Sequence, residues 1–289
     1  MRKMLRRITS ISQSQANTPT VRRRASHRML ASSVLAGLIL SIAPSVVAQT
    51  RSTPTAPSVA PATDAPAELV RLVNELDTLA SREDSRSLMR LVSRNFTHSD
   101  GLTYDTLSEA LQLFWERYDQ LNYRTTITAW QQEGDTWTAE TATRVTGVQK
   151  TRQREFRLSS TVTSRQTYQN GQLLSQEILT EENQVTSGTN APNVAVQAPS
   201  QIRTAAPYGF DVIVDEPLGD RQLLGTAIEE GADVNGYLNN SAIMLDLLNA
   251  GGLFKTGRAP ALPSDRWLSG IIVREDGITM VTRRLRATQ

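Results

Sequence analysis

Four consecutive segments, 123–130, 136–149, 155–169 and 172–181, are rich in Thr, Val and aromatic residues and alternate apolar with polar side chains. They read as four strands of a meander. Gly134-Asp135 turns the first pair, and Asn170-Gly171 the last. Asn and Gly both tolerate positive φ, so Asn170-Gly171 predicts a tight hairpin. In 155–169, Phe156, Leu158, Val162 and Tyr168 share one face, while Glu155, Arg157, Thr161, Thr163 and Arg165 share the other. The chain must therefore build an antiparallel sheet with one face covered.

The cover lies upstream. From Ala67, Leu69, Leu72, Val73, Leu76, Leu79 and Ala80 recur at the helical period. A second short helix is expected on Leu88, Leu91 and Val92, ending near Phe96. After a turn at Ser99-Asp100-Gly101, Thr106-Leu107-Ser108-Glu109 reads as a capping box. It opens a third helix striped by Leu107, Ala110, Leu111, Phe114, Tyr118 and Leu121, with Trp115 beside the stripe. Three helices laid on a curved antiparallel sheet give an α+β fold. Residues 186–207 read as a polar, Pro-containing connector. Beyond it, 208–289 predicts a smaller β-rich module: a strand at 210–214, a helix at 238–248 ended by Gly251-Gly252, and a hairpin around Glu275-Asp276-Gly277.

The N-terminus is a different kind of sequence. Residues 1–63 contain no Asp or Glu, and the first 28 carry eight basic residues. An apolar block follows from Met29 to Ala43, then Pro44 and Val46-Val47-Ala48. Basic region, apolar region and small-residue site, in that order, make a secretory signal peptide cleaved after Ala48. The alternative is an uncleaved anchor at 29–48, which Pro44 and four serines interrupt. Arg22-Arg23-Arg24 raises twin-arginine export, but Ala25 and Ser26 stand where an apolar residue belongs. Residues 49–66 are a Thr/Pro/Ala-rich disordered linker. The expected location is periplasmic or secreted, with membrane attachment only if the leader stays uncleaved.

Removing the leader reverses the charge. The chain has 31 basic and 29 acidic residues; without the leader's eight, 23 basic face 29 acidic, a net of −6. An acidic chain lacks the clustered Lys and Arg that phosphates demand, which argues against nucleic acid. There is no Cys, and one His, His98, remains beyond the leader. Thiol chemistry, disulfides and multi-histidine metal sites are thereby excluded within one chain. No cofactor and no metal are expected.

Residues 67–185 resemble the nuclear transport factor 2-like superfamily, which includes SnoaL-like and ketosteroid-isomerase-like proteins. The helical pair 67–96, the Phe96-Thr97-His98-Ser99-Asp100-Gly101 turn into Leu107–Leu121, and the strands ending at Glu181 carry the resemblance. It implies a cone-like barrel whose sheet wraps a pocket, in enzymes and in non-catalytic ligand-binding or dimerising proteins alike. It also implies a pocket acid or base between the second and third helices, where His98 and Asp100 stand. The first helix has no Tyr, a departure from the enzymes. Nothing comparable is offered for 208–289.

His98 and Asp100 are the candidate proton-transfer pair, against the plainer reading of an exposed turn. Tyr104, Trp115 and Tyr118 are the candidate ligand-binding residues, against a core stripe. Glu140, Glu177 and Glu181 fall in strands and default to a solvated face. Asp211, Asp215 and Glu216 lack a calcium loop. Lys255-Thr256-Gly257 matches one box of the penicillin-binding enzymes, but Gly147 and Gly252 stand where its Ser-x-x-Lys partner needs serine. The expected role is binding of a small apolar ligand or a partner, with no committed catalytic residue. The alternatives are a metal-free isomerase, hydrolase or dehydratase, and a homodimeric envelope scaffold.

Overall fold

A computed structural model describes residues 61–219, 221–239 and 242–289. It also describes the backbone of Met29–Leu30, which pairs with Ala242–Ile243. The rest of the leader, and the linker up to residue 60, lie outside the described residues. From 61 onward the linker docks on the domain: Ala62 N–H donates to the Ile127 carbonyl at 2.8 Å, and the Trp130 indole donates to Asp64.

Helix α1 (Ala67–Ser81) starts behind Pro66 and buries Leu69, Leu72, Val73 and Ala80. Asp84 caps the one-turn α2 (Ser85–Leu88), whose 3₁₀ extension is Met89–Leu91. The expected second helix stops there. Val92–His98 is a strand, β1, paired parallel with a distant strand through Val92, Thr97 and His98. Long-range pairing of β-branched and aromatic residues overrides the helical period of Leu88 and Leu91. Helix α3 (Tyr104–Trp115) is capped by Thr103 and Thr106, three residues before the predicted box. Tyr118 and Leu121 lie beyond its end, and Leu121 belongs to the next strand.

The meander follows as expected: β2 (Gln120–Glu133), β3 (Thr136–Lys150), β4 (Glu155–Gln169) and β5 (Gln172–Gly188). Asn170 and Gly171 both have positive φ, 51° and 70°, as a two-residue hairpin of this twist requires. β5 outruns its predicted end because its second half has a partner downstream. The predicted connector holds that overrun and two strands, β6 (Val194–Gln197) and β7 (Gln201–Arg203). Next come β8 (Pro207–Val214), β9 (Leu223–Gly231) and a five-residue helix, α4 (Val234–Leu238). The chain closes with β10 (Asp246–Leu248), β11 (Gly252–Arg258), β12 (Ser264–Arg274) and β13 (Gly277–Thr288). The predicted 238–248 helix is thus wrong. Leu248 packs under the bare Cα of Gly225 while Leu247 is 53% exposed, an alternation that suits an edge strand.

One sheet runs through most of the described chain. Its ten strands include the path β10-β9-β12-β13-β5-β4-β3-β2, with β1 beside β5 and β7 beside β13 in parallel. The joint is β5. Its first half pairs with β1 and its second half, Glu182–Gly188, with β13. The fold is mostly antiparallel sheet with few helices. On the inner face, residues of α1, α3 and β1–β5 share a core with Ala232, Tyr237, Trp267 and Ile278 from downstream. On the opposite face of β12 and β13, the three-stranded sheet β11-β8-β6 buries Phe210, Val212, Leu268, Ile272, Val281 and Leu285.

Candidate functional site

His98 ends β1 beside Gln176 of β5. Asp100 sits in the turn that follows, where Gly101 has φ 83° and donates its N–H to the His98 carbonyl. The structure brings the pair together and buries it: His98 Nδ1 lies 3.9 Å from Asp100 Oδ2, with side chains 3% and 1% exposed. Ser99 and Gly101 of the turn are exposed, but the Asp100 side chain points inward. It is covered by residues well over a hundred positions downstream.

Arg284 on β13 meets Asp100 with both terminal nitrogens, at 2.9 Å to Oδ1 and 2.6 Å to Oδ2. Its Nε donates to Glu181 Oε2 at 3.1 Å, and its Nη1 also reaches Asp265 at 2.7 Å. The Tyr237 hydroxyl of α4 donates to Asp100 Oδ2 at 2.6 Å. The Trp267 indole of β12 donates to Glu181 Oε2 at 2.8 Å. Tyr237 stacks edge-on against both Trp267 and His98, with centroids 4.9 and 6.1 Å away. Gly236 allows that approach, since a Cβ there would lie 2.6 Å from the Trp267 ring.

Environment sets the protonation states. Burial pushes the His98 imidazole down to about 4, against the pull of Asp100. The ring is neutral at ordinary pH, and its Nδ1 accepts the Asp100 N–H, which places the proton on Nε2. Burial alone would raise the Asp100 carboxyl, but Arg284, with His98 and Tyr237, holds it below the usual carboxylate value. Burial pushes Glu181 up to about 7, only partly countered by Arg284 and Trp267. Arg284 itself is held well above its ordinary value by Glu181 and Asp100, overcoming its burial.

Asp100 has both oxygens engaged: Arg284 and Ser99 on Oδ1, Arg284 and Tyr237 on Oδ2. A carboxylate so held is a poor proton acceptor. The geometry is that of a charged joint between β1, β5, α4, β12 and β13.

The aromatic candidates lie elsewhere in the same core. Trp115 is buried and donates to the Tyr123 hydroxyl at 3.1 Å. Tyr118 is buried, packs on Phe114, and has its hydroxyl pushed up to about 12 by burial. Tyr104 is half-buried with the Arg94 guanidinium 4.1 Å from its ring centre. Glu140 and Glu177 flank Arg165 on the outer face, at 2.9 Å each. Glu216 pairs with Arg274. A shallow surface groove of about 490 Å³ opens between Arg154, Arg157, Thr186, Ser187, Glu275 and Asp276, and none of the candidate residues lines it. Among the described residues no helix is long and apolar enough to cross a membrane.

Sequence reasoning missed Arg284, Tyr237 and Trp267, and left Glu181 on a solvated face. A signal existed. Adjacent strand residues point to opposite faces, so Glu181-Glu182 and Arg283-Arg284 each send one charge inward. Outside, Glu182 meets Arg283 at 3.0 Å; inside, Glu181 meets Arg284.

Residues 189–288 match the family model of a domain of unknown function, DUF8623. No curated protein matches the chain. Solved structures similar to part of it include a scytalone dehydratase-like protein from Novosphingobium aromaticivorans, at 10% identity over 38% of this chain and 80% of that one, TM-score 0.34. An LEH-like epoxide hydrolase of M. tuberculosis matches at 12% identity over 38% and 80%, TM-score 0.29. A ketosteroid isomerase-like protein from Catenulispora acidiphila, in complex with trimethylamine, matches at 14% over 37% and 82%, TM-score 0.28. Residues 67–188 run helix, short helix, strand, helix and four antiparallel strands, in that order.

Proposed function

We propose that this protein is an exported, non-catalytic partner-binding module in which the cone-like segment is closed by the chain's own C-terminal strands. One observation carries the reading. The side chains that the resemblance assigns to a pocket, His98 and Asp100, are capped by Tyr237 and Arg284, with Trp267 packed behind Tyr237. With those side chains engaged by the chain's own residues, this reading puts the place of work on the surface. The leader supports export, with cleavage after Ala48, and the mass of the isolated protein's N-terminus tests that step.

Removal of the plug tests the closure. Trp267 is 2% exposed, so Trp267→Ala should open a hole shaped for an indole ring. Wild-type protein is expected to show no thermal shift with indole or a panel of small apolar compounds. The variant should be stabilised by indole, by about 2.7 kcal/mol at a hundred times its Kd. A wild-type shift with a small apolar compound, abolished by Tyr118→Ala, would return the interior to a ligand pocket and sink this reading.

A further inference from the structure

The surface groove, at about 490 Å³, has room for a small ligand. Two turns wall it. One is formed by residues 151–154, between β3 and β4; the other is Glu275-Asp276, between β12 and β13. The end of β5 runs between them. Phe156, Ser187 and Ile278 form one cross-strand row, and Arg154 and Asp276 each stand two positions beyond it, at the same end of the sheet.

Both walls are braced by bonds made behind the groove. Thr151 Oγ1 donates to the Arg154 carbonyl at 2.8 Å and accepts the Arg154 N–H at 3.0 Å. On the other side Arg274, its side chain 1% exposed, holds Asp276 at 2.6 Å and the Asn190 carbonyl at 2.8 Å. Asn190 in turn donates to Asp276 at 2.8 Å. Gly188 has φ 102°, and a Cβ there would lie 2.4 Å from the Asp276 carbonyl oxygen, so the turn rests directly on the end of β5. A groove held this way needs little rearrangement to receive a ligand.

Pairing within the groove leaves two charges over. Its lining holds Arg154 and Arg157 against Glu155, Glu275 and Asp276. Asp276 is engaged by Arg274 and Asn190, and Glu155 pairs with Arg157 at 2.5 Å. The Arg154 and Glu275 side chains have no partner among the described residues. Ser187 is the one buried residue of the lining, and its Oγ has no hydrogen-bond partner among the described residues either. A buried hydroxyl left unpaired calls for a partner that the chain itself does not supply. One unpaired cation and one unpaired anion fit a zwitterion. β4 and β13 are two strand spacings apart, about 10 Å. An extended peptide spans about 3.3–3.6 Å per residue, so three residues set a carboxylate and an ammonium about 10 Å apart. A guanidinium suits the carboxylate end, because it can bond both oxygens at once.

We propose that this groove binds a short free peptide of about three residues, its terminal carboxylate on Arg154 and its terminal ammonium on Glu275. The groove lies outside the cone, so the inference goes beyond the partner-binding reading and does not depend on the closure that Trp267→Ala tests. Isothermal titration calorimetry of the purified protein with trialanine tests it. Trialanine should bind, and added salt should weaken the binding. N-acetyl-trialanine and trialanine amide each lack one charge and should bind on the order of 10-fold or more weakly. So should free alanine, whose two charges are too close together to reach both walls. Each variant should lose its sense of one end only. Arg154→Gln should not distinguish trialanine from its amide, and Glu275→Gln should not distinguish it from N-acetyl-trialanine. A damaged fold would weaken every peptide alike, so the crossed pattern reports contact. Both residues sit on surface turns, and both variants should melt within a few degrees of wild type. No heat with trialanine at millimolar concentration overturns the proposal. So does equal binding of the blocked peptides to the wild type, or variants that discriminate as the wild type does.

Discussion

A single ladder of alternating charges threads this molecule, and its two ends are chemically alike. At the outer end Arg165 sits between Glu140 and Glu177. Glu177 passes the ladder to Arg286, Arg286 to Asp265 and Asp265 to Arg284. At the inner end Arg284 sits between Asp100 and Glu181. Each end has one guanidinium between two carboxylates at hydrogen-bond distance, and Arg284 reaches Asp265 as a third. Arg165, Glu140 and Glu177 are 46%, 44% and 39% exposed, whereas Arg284, Asp100 and Glu181 are 1%, 1% and 0%. Water therefore decides what each triplet does. The outer one can be dismantled residue by residue, since solvent replaces whatever is lost. Inside, every charge depends on the others and on the fixed donors Ser99, Tyr237 and Trp267, because water does not reach it.

The comparison breaks hardest at Arg284. Arg284→Met keeps the volume and strands two buried carboxylates. The expected loss is about 3–5 kcal/mol, which for a chain of this size lowers Tm by on the order of 10 °C. Urea unfolding measures it. A loss below about 1 kcal/mol would make the inner triplet no different from an exposed one.

The inner end should also answer to pH, with a sign that differs between its members. Glu181 is raised from 4.5 to about 7, so the folded state holds its proton more tightly. Its contribution is full below 4.5 and is lost as pH rises through about 7. His98 is lowered from 6.5 to about 4, so the folded state holds its proton less tightly. That contribution is present above 6.5 and is lost as pH falls through about 4. Between roughly 4.5 and 6.5 the two oppose, each by at most about 1.4 kcal/mol per pH unit. His98→Gln should therefore uncover a stability that declines with rising pH across this window, and Glu181→Gln one that climbs. Stability profiles that coincide for the wild type and both variants would sink the assignment.

Tyr237→Phe probes the inner end more gently. It removes one hydroxyl that donates 2.6 Å to Asp100 Oδ2 and leaves the Arg284 pair in place. A hydrogen bond to a buried charge is worth about 1.5–3 kcal/mol. The acid limb of the stability profile should also move up in pH, since Tyr237 helps hold Asp100 low. A fall in stability with no such movement would mean that the hydroxyl does not act through the Asp100 carboxylate.

The two ends were not equally legible in the sequence. The strands that carry Arg165 follow from a period-two alternation, and Asn170-Gly171 fixes their hairpin locally. His98 and Asp100 stood out through their place between the helices. Their surroundings did not, because the partners arrive from Tyr237, Trp267 and Arg284, and no local pattern reports a contact at that separation. The same distance effect hid β1. Val92 and Phe96 continue a plausible helix until Leu173 and its neighbours claim them as a strand. Likewise β5 runs past its apparent end because β13 supplies the partner. Charge doublets were the available clue: Glu181-Glu182 facing Arg283-Arg284 on adjacent strands demands one ion pair on each face.

Arg165→Met is the counterpart of Arg284→Met and should do least. Arg165 holds Glu140 and Glu177 together on an open face, and both carboxylates remain hydrated when it goes. Glu177 keeps Arg286 at 3.1 Å, so the ladder is shortened rather than cut. The expected cost is about 0–1 kcal/mol, shrinking further with salt. Unfolding of the two methionine variants in low and high salt gives the contrast directly. The inner loss should be nearly salt-independent, because the Debye atmosphere does not reach a fully buried pair. If Arg165→Met proved as costly as Arg284→Met, exposure would not be what separates the two triplets.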